Sequence, residues 1–270
     1  MPYVVTIHDL SYLHFPELFK KEDVLQLTSW SKYSIENSAH VIVPSQSTKN
    51  DIVKNYKVLD SKISVTYEGY NKDLFKKKSK QQVETVKKKY KIAGDYVIFV
   101  GTIQPRKNIE RLIEAFSKIK PKSVKLIIVG RKGWLYDAIL KKSHDLGIQE
   151  EVIFTDFVPN EDLPPLISGS KAYINPSLWE GFGIPVVEAQ ACDVPVAVAS
   201  TSSLPEIVGE SGILFDPDSV ESIKIALQKL ITNEKFSREL IKKGQENVKR
   251  FSWEACAKET LAILTKVASN

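Results

Sequence analysis

Two carboxylates, Glu180 and Glu188, are separated by seven residues in the run Pro176-Ser-Leu-Trp-Glu-Gly-Phe-Gly-Ile-Pro-Val-Val-Glu188. The residues between them suggest what chemistry they could do. A strand-like stretch, Ala172-Tyr-Ile-Asn175, runs into a loop where Gly181 and Gly183 allow a ligand to approach the backbone closely. A helix is predicted next, with Pro185 suited to its first turn. Glu180 then sits on the loop and Glu188 about one turn into the helix. Both acceptors face the crevice at the carboxyl end of a strand, where open α/β sheets bind ligands. The helix start between them offers unpaired N–H groups to an anion. A ligand with hydroxyls at both ends and phosphate in the middle fits this pattern, and a nucleotide sugar is such a ligand.

The elements that must position these residues are short apolar strands alternating with amphipathic helices. Strands are predicted at Tyr96-Val-Ile-Phe-Val-Gly101, Val124-Lys-Leu-Ile-Ile-Val129, Val152-Ile-Phe154, Ala172-Tyr-Ile174, Val194-Pro-Val-Ala-Val198 and Gly212-Ile-Leu-Phe215. Helices are predicted over 108–119, 133–146, 160–168, 184–192 and 219–232, with two terminal helices over 234–249 and 253–268. This alternation indicates a parallel, doubly wound sheet. Residues 1–70 read as part of a second unit of the same kind. Its strands are Tyr3-Val-Val-Thr-Ile7, Ala39-His-Val-Ile-Val43 and Ile63-Ser-Val-Thr66, with a helix over 22–38 and another capped by Ser45 or Ser47. The first strand has no predicted partner on its outer side. An open edge of that kind is a liability, so further strands from upstream sequence or a partner chain are expected to cover it.

The chain has 270 residues, 43% hydrophobic and 26% charged, ordinary values for a soluble globular protein with room for two domains. Cys192 and Cys256 lie in apolar helical surroundings, which favours a reducing cytosol over a disulfide framework. No apolar run is long enough to span a bilayer, and Met1-Pro-Tyr leads into a strand with no signal peptide. The expected location is cytoplasmic, with peripheral contact at the inner membrane face as an extension. That extension rests on residues 71–92, where nine lysines face only Asp73 and Glu84, while the chain as a whole carries +5. The stretch reads either as a solvated linker and exposed helix face or as a patch for anionic lipid headgroups. It lacks the interleaved aromatic residues that would suggest nucleic acid.

Several pieces in order give a resemblance: Thr6-Ile-His8-Asp9-Leu10, Val43-Pro-Ser45, Val100-Gly101-Thr-Ile-Gln-Pro-Arg106-Lys107-Asn108, Val129-Gly130, the Glu180–Glu188 run, and Ser203-Leu-Pro-Glu206. Together they resemble the retaining glycosyltransferases of family 4. Within that group the chain is most similar to bacterial mannosyltransferase-type enzymes of polysaccharide assembly. The resemblance implies a GT-B fold of two Rossmann-like domains, the N-terminal one incomplete here. Residues 1–70 would form the acceptor side, 71–92 a lysine-rich linker and 93–250 the donor-binding domain. The helix in 251–270 would cross back to the first domain, with Trp253 as anchor. Further residues with a Gly-rich loop and most of the acceptor pocket are expected ahead of this chain.

The resemblance also implies residue roles. Arg106 and Lys107 would clamp the diphosphate, whose charge grows as the glycosidic bond breaks. Arg engages phosphate bidentately and Lys acts as a point charge; the plainer reading is a solvated loop pair. Glu188 would accept hydrogen bonds from ribose, and Glu180 from hydroxyls of the sugar. Phe182 and Gly183 would offer backbone N–H groups, with Gly101, Asn175 and Ser177 as further contacts. His8 is placed in the interdomain cleft, as hydrogen-bond or acid–base group or simply as a structural histidine, with Asp9 orienting a neighbour.

The expected function is transfer of a hexose, with mannose the first candidate, from a nucleotide-diphosphate sugar to a saccharide or lipid-linked acceptor, with retention and without a cofactor or metal. Asp216-Pro-Asp218 resembles a metal-binding triplet, but Asp218 and Glu221 have capping-box-like spacing and read as a helix cap. Three alternatives stay open. The two carboxylates could be the acid and nucleophile of a glycosidase-like pair. The chain could be another GT-B enzyme, a phosphorylase or an epimerase. Or it could be a non-catalytic nucleotide-sugar-binding half that needs a partner chain.

Overall fold

The computed structural model describes residues 2–119 and 123–269. The leader-free start expected at Met1-Pro-Tyr therefore begins outside the described residues. The N-terminal part runs β1 (Val4–Thr6), α1 (Ser11–His14), α2 (Lys21–Asn37), β2 (His40–Val43), α3 (Gln46–Tyr56) and β3 (Ile63–Val65). Its three strands form a parallel sheet in the order β1-β2-β3, with Val4 opposite His40 and Val41 opposite Ile63. Ile7, Leu10, Ile35, Val41, Val43, Ile52 and Ile63 make its small core. Ser45 caps α3 by accepting from the Thr48 N–H at 3.1 Å, one of the two caps expected.

The larger part continues with α4 (Lys80–Lys89), β4 (Asp95–Val100), α5 (Ile109–Ser117), β5 (Val124–Val129), α6 (Asp137–Asp145), β6 (Val152–Asp156), α7 (Leu163–Ser168), β7 (Ala172–Asn175), α8 (Ile184–Ala191), β8 (Val196–Ala199), α9 (Leu204–Val208), β9 (Gly212–Phe215), α10 (Val220–Thr232), α11 (Glu234–Asn247) and α12 (Trp253–Ala268). Its six strands are parallel in the order β6-β5-β4-β7-β8-β9. The strands read as near-continuous apolar runs because helices cover both faces. Helix α5 shows the logic: Ile109, Leu112, Ile113 and Phe116 recur at helical spacing and are all buried. Burying each such side chain contributes roughly 1.5–3 kcal/mol.

The sheet order places the crevice. Connections from β4 lead toward β5, while β7, paired to the other side of β4, leads toward β8. The loops leaving the two strands therefore diverge, opening a crevice at their carboxyl ends. The loop after β4 carries Gly101, Arg106 and Lys107, and the loop after β7 carries Glu180 and Gly183.

Residues 71–92 hold more structure than a connection. Phe75, Val86 and Ile92 are buried in the larger domain's core, and a Ser79–Gln82 capping box starts α4. Much of the lysine charge is matched internally. Lys72 pairs with Glu254, Lys77 with Asp193, Lys87 with Glu84 and Lys89 with Asp162. At the far end, α12 returns to the N-terminal part and packs against β2. The crossing is close: a Cβ on Gly69 would lie 2.2 Å from the Trp253 backbone nitrogen. Trp253 is itself partly exposed, so its backbone and ring edge at Gly69, more than a buried indole, mark the crossing. No described helix is long and apolar enough to cross a membrane.

The Asp216–Asp218 turn corrects one expectation. The cap of α10 is Ser219, which accepts from the Ser222 N–H at 3.1 Å. Asp218 instead pairs with Arg111 at 3.3 Å, and Asp216 accepts from the Asp218 N–H. Ser219 stands one residue nearer the helix, where its short side chain reaches the first-turn N–H directly.

Candidate active site

The floor of the crevice is an ion pair. After β4, Pro105–Lys107 form one turn of 3-10 helix, and Asn108 follows with φ of 55° in the left-handed region. Buried Asn108 donates to the carbonyls of Pro176 and Pro217 at 3.1 and 2.8 Å, tying this loop to the one after β7. The turn aims Lys107 at Glu180, with Nζ 2.6 Å from Oε1. Glu180 also accepts from Ser177 Oγ at 2.7 Å and Asn175 Nδ2 at 3.3 Å, and its backbone N–H donates to Ser202. Burial alone would raise the Glu180 pKa. Lys107 first, and Arg106 after it, outweigh that and hold it at about 2.

Arg106 serves the same loop from behind. Its guanidinium donates to the Trp179 carbonyl and lies 3.7 Å from Glu180, and it does not line the cleft. Asn175 and Ser177 are likewise buried behind Glu180 and orient it. The tip of α8 behaves differently. Gly183 takes φ of 102° as the residue before the helix, and Pro185 occupies its first turn. Among the described residues, the N–H groups of Phe182 and Gly183 donate to no protein acceptor. The Phe182 ring is buried against Val187, Ile207, Val248 and Phe251, which fixes its backbone at the cleft.

These groups share one cleft of about 240 Å³. His8, Asp9 and Glu68 line it from the N-terminal side, and Gly101, Lys107, Glu180, Phe182 and Gly183 from the other. The two sides touch: a Cβ on Gly181 would lie 2.0 Å from the His8 carbonyl oxygen. His8 Nδ1 is 3.2 Å from Glu68 Oε1, and this hydrogen bond raises the His8 pKa against the lowering effect of burial. Asp9 accepts from the Ser11 N–H at 2.8 Å, so the group it orients is its own backbone turn. Glu188 lies outside the lining of this cleft, one turn into α8. Burial raises its pKa to about 7, and its carboxylate has no ion-pair or hydrogen-bond partner among the described residues. Tyr173, fully buried on β7, feels both Glu180 and Glu188. Among the described residues no cluster of three metal-ligating side chains occurs.

The family model for Glycosyl transferases group 1 matches residues 77–247. The chain belongs to this family. A second model, Glycosyltransferase Family 4, matches residues 1–74, so the two halves of this glycosyl transferase are covered in order. The chain is 30% identical to the O-antigen chain mannosyltransferase B of Escherichia coli over 263 residues, spanning 96% of this chain and 68% of that protein. It is 31% identical to the O-antigen chain mannosyltransferase RfbU of Salmonella typhimurium over 228 residues, 84% of this chain and 60% of RfbU. Among solved structures, HepE of Anabaena in complex with UDP and glucose matches with a TM-score of 0.86. That match is 22% identical and covers 98% of this chain and 72% of HepE. The glycosyl transferase thus has the GT-B fold.

Several residues at the site of this glycosyl transferase are given no role by a reading of motifs. Ser203 Oγ donates to the carbonyls of Glu180 and Phe182, holding the loop from below. Glu206, on α9, reaches across to the smaller domain. Its carboxylate accepts from the N–H groups of Gln46 and Ser47 at 2.9 and 3.3 Å and from Tyr67 Oη at 2.8 Å. It supplies a second acceptor at the start of α3 from another domain. His14, which matches no functional pattern in sequence, stacks on Trp179 with ring centroids 3.7 Å apart. The Ser203-Leu-Pro-Glu206 run carried a signal, but nothing local says that its acid faces a helix over 150 residues away.

Proposed function

We propose that this cleft binds a nucleotide-diphosphate hexose, with mannose the first candidate, and passes the sugar to a hydroxyl of a saccharide or lipid-linked acceptor. The observation that carries the reading is Lys107 beside the free N–H groups at the tip of α8, on the crevice formed where β4 and β7 part. An ammonium and a positively polarised helix start converge where a leaving diphosphate gains charge, and electrostatic stabilisation acts where charge develops. Mannose is favoured by the likeness to two O-antigen chain mannosyltransferases. HepE, solved with UDP and glucose, supports a nucleotide-linked sugar in this fold.

In this reading the C1–O bond to the diphosphate breaks and the acceptor oxygen bonds C1 on the same face. The acceptor proton passes to the departing phosphate oxygen. Glu180, already ionised and held by Lys107 and Ser177, accepts from sugar hydroxyls. Glu188 accepts from ribose. A glycosidase-like pair is disfavoured, because Glu188 lies outside the cleft that Glu180 lines. Lys107 and the helix tip supply the positive charge that a metal would otherwise bring, so transfer is proposed to be metal-independent. Mixing the protein with GDP-mannose or UDP-glucose and an acceptor glycan, with and without chelator, tests this. Anomer-retained transfer in chelator is expected; loss restored by magnesium would contradict metal independence.

A second reading is favoured by a specific observation. Strand β1 is an open edge, Tyr3 beside it is exposed, and Leu261 and Leu264 of α12 face outward. A donor-binding half completed by more polypeptide would leave such surfaces. Nucleotide-sugar binding without transfer, with transfer restored by an added upstream polypeptide, would identify it.

A further inference from the structure

Glu68 has no counterpart among the residues expected to do chemistry, yet it lines the cleft with little of its side chain exposed. It follows β3, on the segment Tyr67-Glu-Gly-Tyr70 that leads from the smaller domain toward the larger. Tyr67 is fixed by its bond to Glu206, and Gly69 is pressed against Trp253 at the start of α12. Glu68 is thus held on both sides by contacts that cross the domain boundary. Its Oε1 meets His8 Nδ1 at 3.2 Å. His8 in turn is locked at its carbonyl against Gly181, the residue after Glu180. The imidazole is otherwise open, with 72% of its side chain exposed.

We propose, resting on the reading above, that Glu68 is a positioning residue that accepts the Nδ1 hydrogen of His8 and leaves Nε2 to act on the transferred sugar. An ionised carboxylate only accepts, so its partner nitrogen carries the hydrogen. A ring held this way leaves a fixed Nε2 at a cleft that Glu180 also lines, within the site proposed for the sugar. The charged groups around His8 are Glu68, Asp9 on its own loop, and the Lys107–Glu180 pair across the cleft. The opposite charges of that pair act on His8 in opposite senses, which leaves Glu68 as the main partner. The couple joins the β1 loop to the β3 connection, and the His8 carbonyl meets Gly181 of the β7 loop, so the ring is held on the side of the cleft that faces Glu180.

The test uses Glu68→Ala, Glu68→Gln and His8→Ala, with GDP-mannose and UDP-glucose each compared with its nucleoside diphosphate by calorimetry. Losing a hydrogen bond to a charged group predicts about tenfold weaker nucleotide-sugar binding in Glu68→Ala, with the nucleoside diphosphate changed less than about twofold. In a His8→Ala background the Glu68 substitution should add nothing. Glu68→Gln keeps the shape and an acceptor, so it should bind nearly as the parent does while the His8 titration midpoint, followed by NMR, falls. The proposal is overturned if Glu68→Ala costs as much without His8 as with it, if both ligands weaken equally, or if the midpoint stays put in Glu68→Gln. A parent protein that binds neither nucleotide sugar would overturn the functional reading instead, and the titration would still decide the pairing of Glu68 with His8.

Discussion

Lys107 Nζ and Glu180 Oε1 lie 2.6 Å apart at the meeting of the two loops that leave β4 and β7. Each is mostly buried, with 13% and 12% of its side chain exposed. A pair so placed joins the stability of the crevice to its chemistry. Removing one partner strands the other as a buried charge. Lys107→Met is therefore expected to cost about 3–5 kcal/mol, read by urea unfolding. The pH dependence has a definite sign. Glu180 is held far below an ordinary carboxylate, so its stabilisation is full above about pH 4.5 and lost as pH falls toward about 2. Glu180→Gln should flatten that part of the stability curve; an unchanged acid limb would show that the pair is worth little.

Glu188 points the other way. Its pKa in the folded protein is about 7 against an ordinary 4.5, so the folded state keeps a proton the unfolded chain has released. Its contribution to stability falls as pH rises across that interval and is level above it. Ribose hydroxyls donating to Glu188 would favour the charged form. Nucleotide binding near pH 6 is therefore expected to release a proton and to tighten toward pH 8. Calorimetry in buffers of different ionisation enthalpy measures the proton directly, and Glu188→Gln should abolish it. Binding with no proton exchange in the parent would remove Glu188 from the ligand site.

Glu206 is the clearest tie between the domains. Its carboxylate takes two N–H groups of α3 and the Tyr67 hydroxyl, and hydrogen bonds to a charged acceptor contribute about 1.5–3 kcal/mol each, net of compensation by water. Glu206→Ala is expected to speed amide exchange at Gln46 and Ser47 by about tenfold or more and to widen the cleft in solution scattering. Unchanged exchange at both amides would mean that Ser45 alone is the effective cap.

Two glycines mark where backbones meet. A Cβ on Gly69 would lie 2.2 Å from Trp253 N, and one on Gly181 would lie 2.0 Å from His8 O. Neither neighbour is the free end of a side chain, so backbone must move. Each Gly→Ala change should cost about 1–3 kcal/mol of packing strain. Their consequences should differ: Gly69→Ala loosens α12 from β2, seen as faster exchange in α12, while Gly181→Ala parts the cleft and weakens nucleotide-sugar binding. Wild-type behaviour from both would mean these contacts are not needed.

The larger domain was legible because its signals are local. Apolar runs such as Tyr96–Val100 can only be doubly covered strands, and Gly183–Pro185 marks a helix start whatever lies around it. The Glu180 loop, the α8 tip and the Lys107 turn followed from those runs. Contacts between distant segments were not legible. Nothing near Glu206 announces the start of α3, and nothing near His14 announces Trp179. Arg106 read as a phosphate ligand by type, but the 3-10 turn sends it to the Trp179 carbonyl and leaves Lys107 facing the cleft. Lys72, Lys77 and Lys89 read as free charge because their partners, Glu254, Asp193 and Asp162, lie far along the chain.

The most direct test of the central claim is calorimetric binding of GDP and UDP, each against its monophosphate, to the parent protein and to Lys107→Ala. If Lys107 and the α8 tip hold a diphosphate, one diphosphate should bind the parent at least about tenfold more tightly than its monophosphate, and Lys107→Ala should erase that margin. Equal binding of mono- and diphosphate by the parent, or an intact margin in Lys107→Ala, would contradict the account.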